Sequence, residues 1–222
     1  MTRAPCSPRS LIVAALGLTV LAAAPGPAVA APRAFDVEYG GRNIVRFTSL
    51  ALLETISGRT ADVSGTLKVD PSNLPRGPGG QLVVDIAGLK TGIDKRDEHM
   101  RGEQYLHAEK HPKAAFTLTG ISTRTRDLTT AKGPAKVKLK GTFELRGVAR
   151  EIEVEGTASY VAFTKELRPM AKMGVIGDAV HFRGSFVVRL ADHGIKVPQF
   201  LSVKIAEEVR VEIDVFGFAK AP

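Results

Sequence analysis

Tryptophan is absent, aromatic residues make up only 6% of the 222-residue chain, and the one cysteine, Cys6, stands close to the N-terminus. Beyond residue 30 there is therefore no disulfide, cysteine-ligated zinc, iron–sulfur cluster or catalytic thiolate to consider. The first 30 residues contain two arginines, Arg3 and Arg9, and no acid. The remaining 192 carry 29 Lys and Arg against 23 Asp and Glu, an excess of six positive charges. That excess is spread without a basic block or interleaved aromatics, which argues against nucleic acid. It favours peripheral contact with an anionic membrane surface instead. Charged residues at 24% and apolar residues at 44% exclude a wholly disordered chain. No apolar run after residue 30 approaches the roughly 20 residues that a membrane helix needs.

The leading segment has the three parts of an export signal. Met1 to Ser10 is basic, Leu11 to Ala24 is a 14-residue apolar run, and Ala28-Val29-Ala30 offers small residues at −3 and −1. The expected cleavage point precedes Ala31, and the expected destination is the periplasm or the medium. Cys6 lies before the apolar run, whereas a lipoprotein cysteine would follow it. Residues 31–222 read as one domain, since no repeat, linker or shift of composition divides them.

Alternation with period two dominates that domain. Val137, Leu139, Gly141, Phe143 and Leu145 share one face, with Lys138, Lys140, Thr142 and Glu144 on the other. Ile152/Val154, Phe182/Gly184/Phe186/Val188/Leu190 and Val209/Val211/Ile213/Val215 form similar rows. Shorter ones are Val37/Tyr39, Val45/Phe47, Leu67/Val69, Leu82/Val84/Ile86 and Phe116/Leu118. Strict alternation gives each strand one wet and one dry face. About nine such segments, separated by turn residues, predict an antiparallel sandwich or barrel. Arg146-Gly147 reads as a hairpin turn, and Lys165 to Asp178 as a long irregular connection. Leu50 to Glu54 is open to one helical turn. Asp94 to His111 reads as two short helices ending before Pro112.

Three further stretches, in this order, carry a more specific pattern. The first is Ser57-Gly58-Arg59 through Val63-Ser64-Gly65-Thr66-Leu67. The second runs from Thr91-Gly92-Ile93-Asp94-Lys95-Arg96-Asp97 through Tyr105 and His111-Pro112 to Phe116. The third is Gly141-Thr142-Phe143-Glu144-Leu145-Arg146-Gly147-Val148, with Arg189-Leu190-Ala191-Asp192-His193-Gly194-Ile195 later. Together these stretches resemble the YceI-like family of exported lipid- or polyisoprenoid-binding proteins, over roughly Phe35 to Phe216. The resemblance implies an all-β fold: one antiparallel, lipocalin-like barrel of about eight strands with one or two short helices. It also implies a long isoprenoid or other lipid chain held in an apolar tunnel, with no cofactor.

On that expectation the inward rows offer Phe47, Leu82, Val84, Phe116, Leu118, Leu139, Phe143, Phe182, Phe186, Val188, Val211 and Ile213 as tunnel lining. Gly141 and Gly184 either leave room for a ligand or ease strand bending. Arg96, Arg101, Arg189 and Asp192 are head-group candidates. Each has a local alternative: Arg96-Asp97 and Arg101 pairing with one another, with Asp97 as a cap at a helix start, and Arg189 with Asp192 as an ion pair fixing a corner. His99, His107 and His111 lie within 13 residues, and His107 and His111 have the four-residue spacing of ligands on one helical face. Pro112 puts His111 past the last regular turn, so the reading favours a solvated helix without metal. No nucleophile elbow or phosphate loop occurs. The sequence thus points to a carrier for an apolar chain. The alternatives are a filled barrel that binds proteins, and a lipid-modifying or metal-dependent enzyme.

Overall fold

The computed structural model describes Met1 and residues 31–37, 41–173 and 175–219. Residues 2–30, where an export signal is expected, and Tyr39 lie outside the described residues. The strands are β1 (Arg33–Asp36), β2 (Ile44–Leu50), β3 (Thr55–Thr60), β4 (Val63–Val69), β5 (Gly79–Asp85), β6 (Lys113–Thr123), β7 (Ala135–Leu145), β8 (Val148–Val161), β9 (Ala179–Arg189) and β10 (Glu208–Phe218). One α-helix, α1 (Asp94–Arg101), lies between β5 and β6.

Eight strands, in the order β1-β4-β5-β6-β7-β8-β9-β10, pair antiparallel and close through Asp36 opposite Phe218. The fold is therefore a closed, eight-stranded, all-β barrel. β2 and β3 are additions. β2 pairs with the first half of β10, from Val209 opposite Ser49 to Asp214 opposite Ile44. β10 thus faces β1 at one end and the β2–β3 hairpin at the other. Arg59 and Lys90 exchange backbone hydrogen bonds of 2.8 and 3.0 Å, tying β3 to the segment after β5.

Alternation places the side chains as the sequence reading expects. Phe182, Phe186 and Val188 are buried, whereas Val187 is 52% exposed. On the outer face Lys138 bridges Glu153 and Glu155 at 3.0 and 3.1 Å, and Lys140 reaches Glu153 at 3.2 Å. These exposed pairs set polarity more than stability. The β7–β8 turn is tight because Arg146 and Gly147 both have positive φ, 53° and 74°, the requirement of a twist-matched two-residue turn.

Several expectations need correction. Leu50 to Glu54 is not helical. It is a bend closed by the Ala51 amide donating to the Glu54 carbonyl at 3.0 Å. Asp94 to His111 holds one helix, and residues 102–111 are turns. His107 has φ 49°, so His107 and His111 do not share a helical face and instead meet edge to face at 5.8 Å. β3 has no counterpart among the predicted strands, because Thr55-Ile-Ser-Gly-Arg-Thr60 carries only one large apolar residue. Gly141 and Gly184 do not leave room for a ligand. A Cβ at Gly141 would lie 2.6 Å from the Phe116 ring, and one at Gly184 would lie 2.4 Å from the Phe182 ring. Each glycine makes space for a phenylalanine of the core.

Candidate functional site: an apolar cavity under the barrel mouth

Antiparallel pairing gathers one set of strand ends at one rim. The ends of β2, β5, β7 and β9 meet the starts of β3, β6, β8 and β10 there. The loops at that rim are residues 51–54, 86–112, 146–147 and 190–207. The two ends of the barrel differ in filling. Away from the rim, Phe35, Val37, Leu118, Val154 and Val215 belong to a closed core. Under the rim, a cavity of about 460 Å³ opens, within the range that holds small ligands.

Its wall comes from strands and loops together. Val45 and Phe47 face it from β2, Val84 from β5, Phe143 and Leu145 from β7, Val188 from β9, and Val209 and Val211 from β10. The loops add Ile86, Leu89, Leu106, Leu190, Ile195, Leu201 and Ile205, and α1 adds Met100. The polar members are Ser49, Glu54, Thr91, Arg96, His99, Tyr105 and Lys204. Burial pushes the Tyr105 phenol above its ordinary pKa, because a charged form is disfavoured in a low-dielectric wall.

Of the tunnel candidates, the structure brings Phe47, Val84, Phe143, Val188 and Val211 to this cavity. Leu82, Phe116, Leu118, Leu139, Phe182 and Phe186 lie in the closed core, with Ile213 packed against it. Phe186 meets the Phe143 ring edge on at 5.2 Å, so this pair joins the cavity to the core beneath it. The loop side chains Leu106, Leu201 and Ile205 carry no periodic signal, and Met100 is the one large apolar residue of a polar helix, so the sequence does not mark them.

Hydrogen bonds hold the rim. Asp97 is buried on α1, and its Oδ1 accepts from the Thr91 amide at 2.7 Å and the Thr91 hydroxyl at 2.6 Å. It does not cap the helix as expected; its partner lies before the helix start. Arg96 donates from Nε to Thr91 Oγ1 at 2.9 Å and from Nη1 to Glu54 Oε1 at 3.1 Å. This ion pair straps α1 to the β2–β3 bend. Arg101 donates to the Leu89 carbonyl at 3.3 Å, and Arg146 donates to the carbonyls of Glu103 and Gly194. Arg189 pairs with Glu208 at 3.1 Å rather than with Asp192, since strand pairing sets Glu208 directly opposite it. Arg189 and Asp192 are both exposed, and neither lines the cavity. His99 does line it, while His107 and His111 do not. No group of three or more metal-ligating side chains occurs among the described residues.

Burial alone would raise the Asp97 pKa. The Thr91 hydrogen bonds and the charges of Arg101 and Arg96 outweigh it and hold the carboxyl below its ordinary value. Its stabilising contribution is therefore present above an ordinary carboxylate pKa of about 3.9. It is lost as pH falls below that value through the folded-state pKa. Asp97→Ala should cost about 1–3 kcal/mol at neutral pH, because the Thr91 amide loses its acceptor. Urea unfolding of both proteins at pH 7 and below pH 3 checks this, and the difference should shrink in acid.

The YceI-like domain family matches residues 36–216, and the chain belongs to that family. A UPF0312 protein of Vibrio vulnificus strain YJ016 is 28% identical over 208 residues, covering 94% of this chain and 98% of the relative. A UPF0312 protein of Pseudomonas syringae pv. syringae strain B728a is 29% identical over 191 residues, covering 86% and 88%. The fold matches the crystal structure of Burkholderia cenocepacia BcnA with a TM-score of 0.60, at 16% identity over 79% of this chain and 96% of that one. It also matches a polyisoprenoid binding domain from Saccharophagus degradans implicated in plant cell wall breakdown. There the TM-score is 0.60 and the identity 17%, over 84% of this chain and 99% of that one.

Proposed function

We propose that this protein is an exported carrier that holds a long apolar chain in the rim cavity. The chain would be a polyisoprenoid, an isoprenoid quinone or another lipid, bound without chemical change. The observation that carries the reading is the cavity itself, an apolar pocket at one end of a barrel lined elsewhere by buried apolar side chains. Each methylene buried there contributes about 0.8 kcal/mol before ordering costs, so affinity needs few polar contacts. Arg96, Glu54, His99 and Lys204 would meet the polar end of the ligand. The family assignment and the Saccharophagus domain described as polyisoprenoid binding support the same reading. The leader of residues 1–30 supports export to the periplasm or medium.

Mass spectrometry of the purified protein tests both parts. Organic extracts are expected to contain an isoprenoid or acyl lipid in a fixed ratio to protein. The intact mass of exported material is expected to correspond to a chain beginning at Ala31. A protein that yields no lipid, and takes up none from polyprenol-containing detergent micelles, would overturn the carrier. Exported protein that retained Met1 or Thr2 would overturn the cleavage.

A further inference from the structure

Four large apolar side chains stand out from the rest of the surface: Leu50 at 73% exposed, Leu52 at 83%, Leu53 at 70% and Phe200 at 78%. From residue 31 onward, no other large apolar side chain among the described residues exceeds 52%. All four occur in two turns of the cavity rim, the β2–β3 bend and the 3-10 turn Gln199–Leu201. Burying them against each other would leave them covered, so their exposure marks a surface that meets something else.

The two turns form one platform. The Leu53 amide donates to the Val203 carbonyl at 2.8 Å, and the Ala206 amide donates to Ser49 Oγ at 2.9 Å. The same turns supply cavity wall through Ser49, Glu54, Leu201, Lys204 and Ile205. Apolar surface therefore runs from the inside of the pocket to the outside of the molecule.

We propose that this rim inserts into the interfacial layer of an anionic lipid bilayer, so that the cavity loads directly from the membrane. The inference rests on the carrier reading, because a chain that costs about 0.8 kcal/mol per methylene to expose is poorly carried through water. Charge selects the partner. Lys204, in the second half of the 190–207 loop, lines the cavity and makes no ion pair among the described residues. The loop's acids, Asp192 and Glu207, lie toward its stem, where the Leu190 amide donates to the Glu207 carbonyl at 2.9 Å. Glu54 is already engaged by Arg96. A second copy is a poorer occupant, because a two-fold contact sets the same patch, with its Lys204, against itself.

The test is flotation with vesicles of phosphatidylcholine alone or with phosphatidylglycerol. The wild type should float with the anionic vesicles and be released as salt rises to 1 M. The double variant L52D/F200D should lose about tenfold or more of that binding. Neither residue lines the cavity, so its melting temperature and its uptake of polyprenol from detergent micelles should match the wild type. Wild-type protein that ignores anionic vesicles, or a double variant that floats equally well, would overturn the docking surface. So would loss of a concentration-dependent dimer in the double variant with vesicle binding unchanged. Micelle uptake reads the cavity separately: protein that loads from micelles without floating sinks only the docking, and protein that floats without loading sinks only the carrier.

Discussion

Val211→Phe should weaken retention of an apolar chain by about 30-fold while leaving folding nearly unchanged. Val211 lies on β10 between Phe186 and Phe47 of the neighbouring strands. It is only half-buried and lines the cavity. Val188 also lines it but is 5% exposed, so a larger residue there would press on packed neighbours. At Val211 the added ring can occupy empty volume. It would displace two or three methylenes of ligand, roughly 2 kcal/mol at 0.8 kcal/mol each, and each 1.4 kcal/mol is tenfold in affinity. Titration with a fluorescent polyisoprenoid analogue measures the loss, and urea unfolding measures the fold. Destabilisation by about 1–3 kcal/mol with unchanged lipid content would mean that the ring is overpacking a solid wall, and the assignment of this cavity as the ligand site would fail.

The barrel is legible because long stretches of β7, β9 and β10 alternate. β7 from Lys136 to Glu144 and β10 from Glu208 to Asp214 put a charged or polar side chain on every second residue, and that pattern has one dry side only. β3 was not legible, because its place depends on pairing with β2 rather than on its own burial. Nothing local marks Glu54 as a rim residue, since only the fold brings it within reach of Arg96, 42 residues away. The partition of the barrel interior was also hidden. Phe116, Phe182, Val188 and Val211 all sit on dry faces, and periodicity cannot distinguish a dry face against a core from one against a void. What separates them is three-dimensional: the Phe116 and Phe182 rings fold over glycines, whereas Val188 and Val211 border the cavity. The head-group candidates divide for a similar reason. Arg96 is carried to the mouth by α1, while Arg189 is held outside by its cross-strand partner Glu208.

Phe182→Ala should be the more damaging change, at about 3–5 kcal/mol. The Phe182 ring is buried and covers the space beside Gly184. Its cross-strand neighbours are Ala158 and Val215. Both are short, and Gly184 has no side chain, so little can move into the gap and the loss should fall in the upper part of that range. Gly184 supplies an internal check. Adding a Cβ there meets the Phe182 ring at 2.4 Å and the Glu155 carbonyl at 2.8 Å. Gly184→Ala should therefore destabilise the wild type, and less so once the ring has been removed. The double variant should be more stable than the two single losses together imply, by about 0.5–3 kcal/mol of coupling. A residual penalty should remain from the Glu155 carbonyl. Urea unfolding of the four proteins closes this cycle. Lipid bound per folded molecule should not change in Phe182→Ala, because Phe182 does not line the rim cavity. If instead the variant is as stable as the wild type and its lipid content alters, the far half of the barrel is open, and the ligand chain runs through it rather than stopping above Phe186.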